Sequence, residues 1–253
     1  MRNLLLLGFI MWTGYSWCHA ENMAFFYALE ADGRALEEQA IAPGRSIAAG
    51  SRTIRRIQIG PHTVYMMAMG SGAVETALSA QAVLTRFRCD RAFSMGPAGA
   101  LGPELTPDTW HRVDRVVAWQ RNPEPIKLVP TEPPAGLART PLDTTSRVAM
   151  ASGEAFIATT PQRERLYAES GAPCVDMNSY GVLAACLDHG VPLIIWKVIS
   201  DRADEQAGAD FRAFVDRYQG EGGAALAELI KAWPAGTADP DSYPAIRKLL
   251  RQD

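Results

Sequence analysis

The sequence predicts a three-layer α/β/α fold, in which helices cover both faces of a central mixed, mostly parallel sheet. Short apolar runs of strand type alternate along the chain with segments of helical spacing. The run from Pro192 to Ile199, broken only by Lys197, is typical of a buried central strand. With 253 residues, of which 47% are apolar and 21% charged, the chain can form one large core but hardly a second full domain.

The first 22 residues differ from the rest of the chain. Arg2 precedes the apolar stretch Leu4–Trp12, and a small residue, Ala20, follows it. This pattern predicts either a cleaved signal peptide or an upstream extension before a start at Met23. The first reading places the protein in the periplasm or outside the cell, and the second in the cytoplasm. In both cases residues 23–253 are expected to form a single domain.

The amino-terminal half predicts strand–helix units that begin directly after this leader. Glu30 opens a helix that continues to about Gln39, and a second helix follows Gly70-Ser71-Gly72. Apolar residues at helical spacing predict the core-facing side of that second helix: Val74, Ala77, Leu78 and Leu84. Strands are predicted at Met23–Leu29, Thr53–Gly60 and Thr63–Met69, the last two paired around a Gly60-Pro61 turn.

The carboxyl-terminal half continues the alternation. Strands are predicted at Arg91–Met95, Val113–Trp119, Arg147–Ala151 and Pro173–Val175, and in the run that ends at Asp201. Helices are predicted over Pro161–Ser170, Ser179–Asp188, about Asp210–Ala232 and Pro240–Asp253. Three glycines at 220, 222 and 223 predict a break in the third of these helices. Six prolines within residues 121–145 predict an irregular loop there.

Composition excludes several classes of function. The net charge of −3 and the pI of about 5.9 leave no basic surplus for a phosphate backbone, so no nucleic-acid partner is expected. The four cysteines form no CxxC pair and the four histidines are scattered, so no metal site is predicted. The cysteines are expected to be small buried side chains. Without its leader, the chain is expected to have no membrane association.

The segment Ser200-Asp201 carries the strongest chemical signal. It ends the buried central strand, at the edge of an α/β sheet where ligands bind. A half-desolvated carboxylate at that edge has a raised pKa and can donate a proton near neutral pH. The alternative is that Asp201 caps the following helix, a position that favours Asp.

Four segments together resemble the purine nucleoside phosphorylase and nucleosidase superfamily. They are Met95–Leu101 (MGPAGAL), Ser152–Ile157 (SGEAFI), Val175–Asn178 (VDMN) and Ile199–Asp204 (ISDRAD). The chain is most similar to methylthioadenosine/S-adenosylhomocysteine nucleosidases and hopanoid-associated nucleosidases. The resemblance covers about residues 23–235. It implies a small-molecule nucleoside as ligand, no metal or organic cofactor, and a homodimer in which the neighbouring subunit closes part of the pocket.

The resemblance also implies two acidic roles. Asp201 would protonate N7 of the purine, which makes the base a better leaving group. Asp32, one methylene shorter than the Glu of the family, would activate the attacking water, with Glu30 as the second choice. The alternative for Asp32 and Glu30 is a solvated acidic turn at the start of a helix, where the helix dipole favours carboxylates.

Further positions match the substrate-binding residues of the family. Phe156 would stack on the purine and the backbone of Ile157 would contact the base edge; the alternative is core packing. Met177 and Asn178 would hold the ribose, although the family has Glu where this chain has Asn178. A neutral amide offers one acceptor oxygen and two donors, so rate or sugar preference could differ; helix capping is the alternative.

The glycine-containing loops complete the predicted site. Gly96 and Ala98, with Ser200, are expected to contact the substrate, because small residues permit close approach of the backbone. Gly70-Ser71-Gly72 could hold water or phosphate, or form an ordinary tight turn. Phosphorylases of this superfamily use arginines to bind phosphate, and none lies between Met66 and Val74. Water is therefore the expected nucleophile.

These observations predict an adenine-type purine nucleosidase that hydrolyses the N-glycosidic bond. Two alternatives remain open. One is a phosphate-dependent purine nucleoside phosphorylase on the same scaffold, and the other is a nucleoside-binding protein without catalytic activity. The fold alone does not distinguish the three.

Overall fold

A computed structural model describes residues 20–120, 122–127 and 146–233. Most of the predicted leader, residues 128–145 of the predicted proline-rich loop and the predicted terminal helix Pro240–Asp253 lie outside these residues. Within the described part, six helices and ten strands alternate along the chain, and the predicted three-layer α/β fold with a mixed sheet is confirmed.

The bounds of the elements are as follows. The strands are β1 (Asn22–Tyr27), β2 (Arg45–Ala49), β3 (Arg52–Ile59), β4 (His62–Ala68), β5 (Arg91–Ala100), β6 (Trp110–Ala118), β7 (Asn122–Lys127), β8 (Ser146–Ser152), β9 (Cys174–Asp176) and β10 (Leu193–Asp201). The helices are α1 (Glu30–Glu37), α2 (Ala73–Leu84), α3 (Thr160–Ser170), α4 (Ser179–Asp188), α5 (Ala207–Arg217) and α6 (Glu221–Ala232).

The sheet has parallel pairings at its centre and antiparallel ones toward β2. Strands β4, β1, β5 and β10 lie side by side and run in parallel, while β3 and β2 continue from β4 as antiparallel strands. From β10 the sheet continues through β6, β8 and β9 and returns to β5. The carboxyl ends of β1, β4, β5 and β10 therefore meet at one edge, where ligands bind in α/β proteins.

Strand β10 shows why helices cover both faces. Its residues are all buried, and successive side chains point to opposite faces of the sheet. Ile195 and Ile199 belong to the core that α2 and α4 cover, whereas Ile194 and Trp196 belong to the core that α1 and α6 cover. A strand buried on both sides has no need for polar alternation, which explains the continuous apolar run in the sequence.

Three segments differ from the sequence-based expectations. Strand β5 continues through Gly96-Pro97 to Ala100, because the backbone there pairs with β10 and β9 instead of turning. Strand β2 was not predicted; it pairs with β3 at the sheet edge and is mostly exposed, so it lacks an apolar pattern. Strand β7 lies in the predicted irregular loop and pairs with β6 in spite of its two prolines.

Helix α2 buries only part of the predicted face: Leu84 is buried as predicted, whereas Val74 and Leu78 are not. Val74 is 65% exposed and Leu78 is 49% exposed. Besides Leu84, the helix packs through Ala80 and Val83, which were not predicted, together with two hydroxyl residues, Thr76 and Ser79. Both hydroxyls donate to backbone carbonyls, of Gly72 and Met69 respectively, so their burial leaves no polar group unpaired.

Other expectations are confirmed. The predicted hairpin corresponds to β3 and β4, with Gly60 at φ 54° in the turn. The predicted break near Gly220 separates α5 from α6. The three described cysteines, Cys89, Cys174 and Cys186, are buried and free. Among the described residues, every helix is too short or too polar to cross a lipid bilayer.

Candidate active site

A cavity of about 620 Å³ opens at the carboxyl edge of the central strands. Its walls come from the segments that follow β1, β4 and β9, from the last residues of β5, β9 and β10, from Phe156 in the loop after β8, and from one face of α5. The volume lies in the range of sites that enclose a drug-sized molecule. The cavity therefore occupies the position where the sequence predicted the functional residues.

Asp201 lies in the cavity wall at the last position of β10. A register shift between Ile199 and Asp201 gives β10 one extra residue opposite β5, and such bulges redirect side chains at the end of a strand. Ser200 Oγ donates to Asp201 Oδ2 at 2.7 Å, and the backbone N–H of Ala203 donates to Oδ1 at 2.9 Å. Because α5 begins only at Ala207, Asp201 does not cap it.

The surroundings of Asp201 favour its protonated form. Burial raises the pKa of its carboxyl group, and the negative charges of Asp210 and Asp204 raise it further. The hydrogen bonds from Ser200 and Ala203 oppose this effect, since they stabilise the carboxylate. Desolvation is the largest of these contributions, so the balance gives a carboxyl group that retains its proton at higher pH than an ordinary Asp.

The aromatic wall of the cavity consists of Phe156 and Phe211. Phe156 is 45% exposed, and its ring contacts that of Phe211 edge-to-face, with 6.0 Å between the centroids. A ring this exposed in a cavity is available for stacking, so core packing does not explain Phe156. Ile157 is only 6% exposed and packs in a small core with Leu101 and Leu166, outside the cavity lining.

The opposite part of the wall contains Met177 and Asn178, where the ribose was predicted. Asn178 Nδ2 donates to the carbonyl oxygen of Gly70 at 3.0 Å, and its Oδ1 lies 3.5 Å from Lys197 Nζ. Its side chain makes no capping bond to α4. The amide is therefore oriented by the protein, with one N–H and one lone pair left over.

Lys197 and Asp176 form a buried ion pair behind Asn178. Both side chains are at most 1% exposed, and Lys197 Nζ lies 2.7 Å from Asp176 Oδ2. Asp176 also accepts hydrogen bonds from the backbone N–H and the hydroxyl of Ser179 at the start of α4. The negative charge of Asp176, which lines the cavity, is thus balanced by Lys197, which lies outside the lining.

The loop after β4 forms the next part of the wall. Gly70 and Gly72 have φ values of 77° and 88°, in the left-handed region that favours glycine. Gly70 and Ser71 line the cavity, and Ser71 Oγ lies 3.7 Å from Met177 Sδ. This loop and the Met177–Asn178 segment therefore lie side by side.

Asp32 and Glu30 lie outside the cavity lining. Asp32 is fully buried, which contradicts the solvated-turn alternative; its Oδ1 accepts from the Tyr218 hydroxyl at 2.6 Å and from the Gly223 N–H at 3.0 Å. Its Oδ2 has no hydrogen-bond partner among the described residues. Glu30 is exposed at the first position of α1, as the solvated-turn alternative implies.

Burial changes the acidity of Asp32 more than its hydrogen bonds do. Desolvation raises its pKa to about 6, against the lowering effects of the bonds from Tyr218 and Gly223 and of the charge on Lys197. The influence of Lys197 links Asp32 to the layer directly behind the cavity wall, since Lys197 contacts Asp176 and Asn178.

The remaining predicted positions divide into two groups. Ala98 and Ser200 line the cavity, and Ser200 Oγ also lies 3.3 Å from the Ala98 carbonyl oxygen. Gly96 does not line it. A Cβ atom on Gly96 would lie 2.6 Å from the Cβ of Ala28, so glycine is needed there for the close approach of two neighbouring segments.

The contribution of α5 to the wall was not anticipated. Gly208, Phe211 and Arg212 line the cavity, whereas the sequence analysis placed Phe211 and Arg212 only within a helix predicted from about Asp210 and gave Gly208 no role. One signal was available: Phe211 lies three positions before the buried Phe214, so two aromatic rings lie on neighbouring positions of one helix face. Asp176 was also missed as a cavity residue, although it lies within the quoted VDMN segment.

The fold and the site define an α/β protein with a cavity of small-molecule size at the carboxyl edge of its sheet, next to a buried acid and an aromatic wall. Comparison with known families then makes the assignment specific. The chain belongs to the Phosphorylase superfamily, whose family model matches residues 27–231.

Relatives and solved structures agree with this assignment. A 5′-methylthioadenosine/S-adenosylhomocysteine nucleosidase of Mycobacterium bovis is 27% identical over 211 residues, covering 68% of this chain and 83% of the relative. The enzyme of the same name from Thermotoga maritima is 26% identical, and the match covers 81% of this chain and 95% of the relative. The structure of the S. pneumoniae nucleosidase with a transition-state inhibitor has a TM-score of 0.72 at 17% identity. The match covers 83% of this chain and 99% of the solved chain.

Proposed function

We propose that this protein is a purine nucleosidase that hydrolyses the N-glycosidic bond of an adenine-type nucleoside. The observation that carries the proposal is Asp201, a buried carboxyl group with a raised pKa that opens onto the cavity beside an aromatic wall. The names of the relatives, which are nucleosidases of adenine-containing compounds, support the same class of reaction.

In the proposed reaction, Asp201 gives its proton to N7 of the purine while the bond between the base and C1′ breaks. The bonding electrons leave with the base, which departs neutral because of the added proton. The sugar develops oxocarbenium character and is attacked at C1′ by water. The water proton passes to a base, and a proton from solvent restores Asp201.

The remaining wall holds the substrate in place. Phe156 stacks on the purine. The resemblance implies that the backbone of Ile157 contacts the base edge, which requires the loop after β8 to bring it forward, since Ile157 lies outside the cavity lining. Asn178 holds one ribose hydroxyl through its free N–H or lone pair, next to Met177. Because Lys197 and Gly70 already orient the amide, little conformational entropy is lost when the sugar binds.

For activation of the water we retain Asp32, with Glu30 as the second choice. A pKa of about 6 makes Asp32 a carboxylate at neutral pH that is basic enough to accept a proton from water. Its unpartnered Oδ2 supports the same role. Since Asp32 lies behind the cavity wall, the role requires its side chain to turn toward the substrate or to act through one water molecule. Catalytic hydrogen bonds commonly tighten only in the substrate complex.

The full chain should be incubated with adenosine, methylthioadenosine, S-adenosylhomocysteine and inosine, with and without phosphate. The expected products are free base and free sugar, formed without phosphate. We expect Asp201→Asn to lower kcat by about 100-fold or more while the nucleoside still binds. Asp188→Asn, an exposed carboxylate at the end of α4, is the control and should retain full activity. If the nucleosides bind without turnover, and Asp201→Asn does not alter this binding, the proposed enzymatic function is refuted.

Two alternatives rest on particular residues. Arg212 places one guanidinium in the cavity lining, which is the group that a phosphorylase would need; ribose 1-phosphate formed only with phosphate would establish that reaction. Asn178, where the family has Glu, weakens stabilisation of the positive charge on the sugar and favours a binding protein without turnover. The same incubation distinguishes all three.

We also propose that the protein forms a homodimer. Val74 and Leu78 are exposed one helical turn apart on α2, which follows the cavity loop Gly70–Gly72. Apolar side chains clustered on one exposed helix face are typical of protein interfaces. A second copy on this face would lie close to the cavity, which supports the expectation that a neighbouring subunit helps to close it.

A further inference from the structure

The wall formed by α5 is not used by the proposed chemistry. Asp201 and Phe156 are assigned to the base, and Met177 with Asn178 to the ribose. Gly208, Phe211 and Arg212 also line the cavity, and nothing in the bond-breaking step requires them. A nucleoside bound by its base and its ribose hydroxyls has one further part that can reach this wall, the substituent at C5′.

Gly208 and Arg212 are arranged so that the guanidinium lies against the cavity. They are four residues apart on α5 and therefore lie on the same helix face. Long side chains on a helix point back toward its amino terminus, and Arg212 does so: its Nη1 lies 3.7 Å from the position of a Cβ atom on Gly208. Since Gly208 has no side chain, the surface beside the guanidinium remains open.

No carboxylate of the described residues forms an ion pair with Arg212. Of the three charged residues in the lining, Asp176 is paired with Lys197, and the oxygens of Asp201 accept hydrogen bonds from Ser200 and Ala203. Neighbouring arginines have carboxylate partners, Asp204 for Arg163 and Asp108 for Arg217. Arg212 has no hydrogen bond or ion pair with any residue in the described part of the chain.

We propose that Arg212 is a specificity-determining residue that binds an anionic group, a carboxylate, at the end of the 5′ substituent of the nucleoside. The proposal rests on the proposed nucleosidase function and names its substrate class. Phe211 would contact the apolar linker between the sugar and the carboxylate. The planar guanidinium matches a carboxylate with two parallel hydrogen bonds.

Two synthetic substrates test this directly. The first is 5′-deoxy-5′-(2-carboxyethylthio)adenosine, and the second is the corresponding carboxamide, which has nearly the same shape but no charge. We expect the full chain to hydrolyse the carboxylate with a kcat/KM about tenfold above that of the carboxamide. The preference should decrease as salt is added, because Arg212 is exposed to solvent.

Arg212→Gln should remove this preference, lowering kcat/KM for the carboxylate far more than for the carboxamide. Arg212→Lys should retain part of it, because the charge remains but the two-pronged geometry is lost. Arg217→Gln is the matched control: this residue lies on the same helix, outside the cavity lining, and should leave the preference intact.

Equal kcat/KM values for the two substrates in the unmodified chain would overturn the proposal, as would an equal loss for both in Arg212→Gln. If neither substrate is hydrolysed, the nucleosidase function fails instead, and calorimetric binding of the two compounds to the unmodified chain and to Arg212→Gln still decides the role of Arg212. A phosphate-dependent reaction in which Arg212→Gln raises the KM for phosphate would show that the guanidinium binds phosphate. This result would refute the proposal that Arg212 binds a carboxylate of the substrate.

Discussion

At the level of single residues, the acidity of Asp201 depends on its neighbours on α5 as well as on burial. Asp210 raises the pKa of Asp201 because two negative charges repel each other, and removing one makes proton loss easier. As a general acid must be protonated to act, kcat/KM should decrease on the alkaline side of the pH profile. We expect Asp210→Asn to move this decrease to lower pH, with a smaller shift at high salt because Asp210 is exposed.

The control for this prediction is Asp216→Asn. Asp216 is also an exposed carboxylate on α5, but it is not among the groups that shift the pKa of Asp201. Its variant should leave the alkaline limb in place. An Asp210→Asn profile that coincides with that of the unmodified chain would show that the alkaline limb reports another group.

The acidic limb of the profile tests the second carboxylate. If Asp32 activates water, it must be deprotonated, and kcat/KM should rise with pH around the pKa of about 6. Asp32→Asn should remove this limb and lower kcat by about 100-fold. Glu30→Gln, two residues earlier and exposed, is the matched comparison and should change little. Loss of activity only in Glu30→Gln would reverse the assignment.

The sequence identified cavity residues correctly where a motif allows only one position for the side chain in the fold. A carboxylate at the end of a buried strand can hardly avoid the sheet edge, and Asp201 is there. Asp32 lies on a short helix, and a rotation of that helix decides whether the carboxylate meets the substrate or Tyr218. Such a rotation depends on how α1 packs against α6, and the local sequence gives no information about that packing.

At the level of secondary structure elements, the packing of α4 on α2 depends on one glycine. A Cβ atom on Gly181 would lie 2.0 Å from Thr76 Oγ1 and 2.3 Å from the Ala73 carbonyl oxygen. Gly181→Ala should therefore force the helices apart and lower the free energy of unfolding by about 1–3 kcal/mol. Denaturant unfolding followed by circular dichroism measures this change.

Gly208→Ala is the control for that experiment. Gly208 also lies within a helix, but an added Cβ atom would meet only Arg212 Nη1, at an ordinary contact distance of 3.7 Å. Alanine has the higher helix propensity, so this variant should stabilise the fold by about 0.5–1 kcal/mol. Equal destabilisation of both variants would point to a general intolerance of helix substitution and not to close packing at Gly181.

The elements that the sequence predicted poorly share a physical cause. Gly96-Pro97 has the composition of a turn, yet β5 continues through it because β10 and β9 supply the backbone partners. Val74 and Leu78 of the apolar face predicted for α2 are exposed, and buried hydroxyls that bond to backbone carbonyls, those of Thr76 and Ser79, face the core. In both cases a partner from a distant part of the chain outweighs the local preference.

For the molecule as a whole, the exposed face of α2 gives a test of assembly. We expect the protein to be a dimer in sedimentation or light-scattering measurements, and Leu78→Lys to shift it toward monomer, because a buried lysine without a partner is costly. Ile41→Lys is the control, because Ile41 is 71% exposed but lies in the loop after α1. A monomeric unmodified chain, or dissociation only in the Ile41 variant, would contradict this interface.

The sequence by itself determined the alternation of strands and helices, the buried central strand and the acid at its end, because these follow from hydrophobic periodicity and from short contiguous motifs. Only the tertiary structure decided which carboxylates face the cavity, that Lys197 neutralises Asp176, and that α5 places Arg212 on the wall. Those facts depend on side-chain directions and on contacts between segments far apart in the chain, where burial and charge act through distances in space and not through position in the sequence.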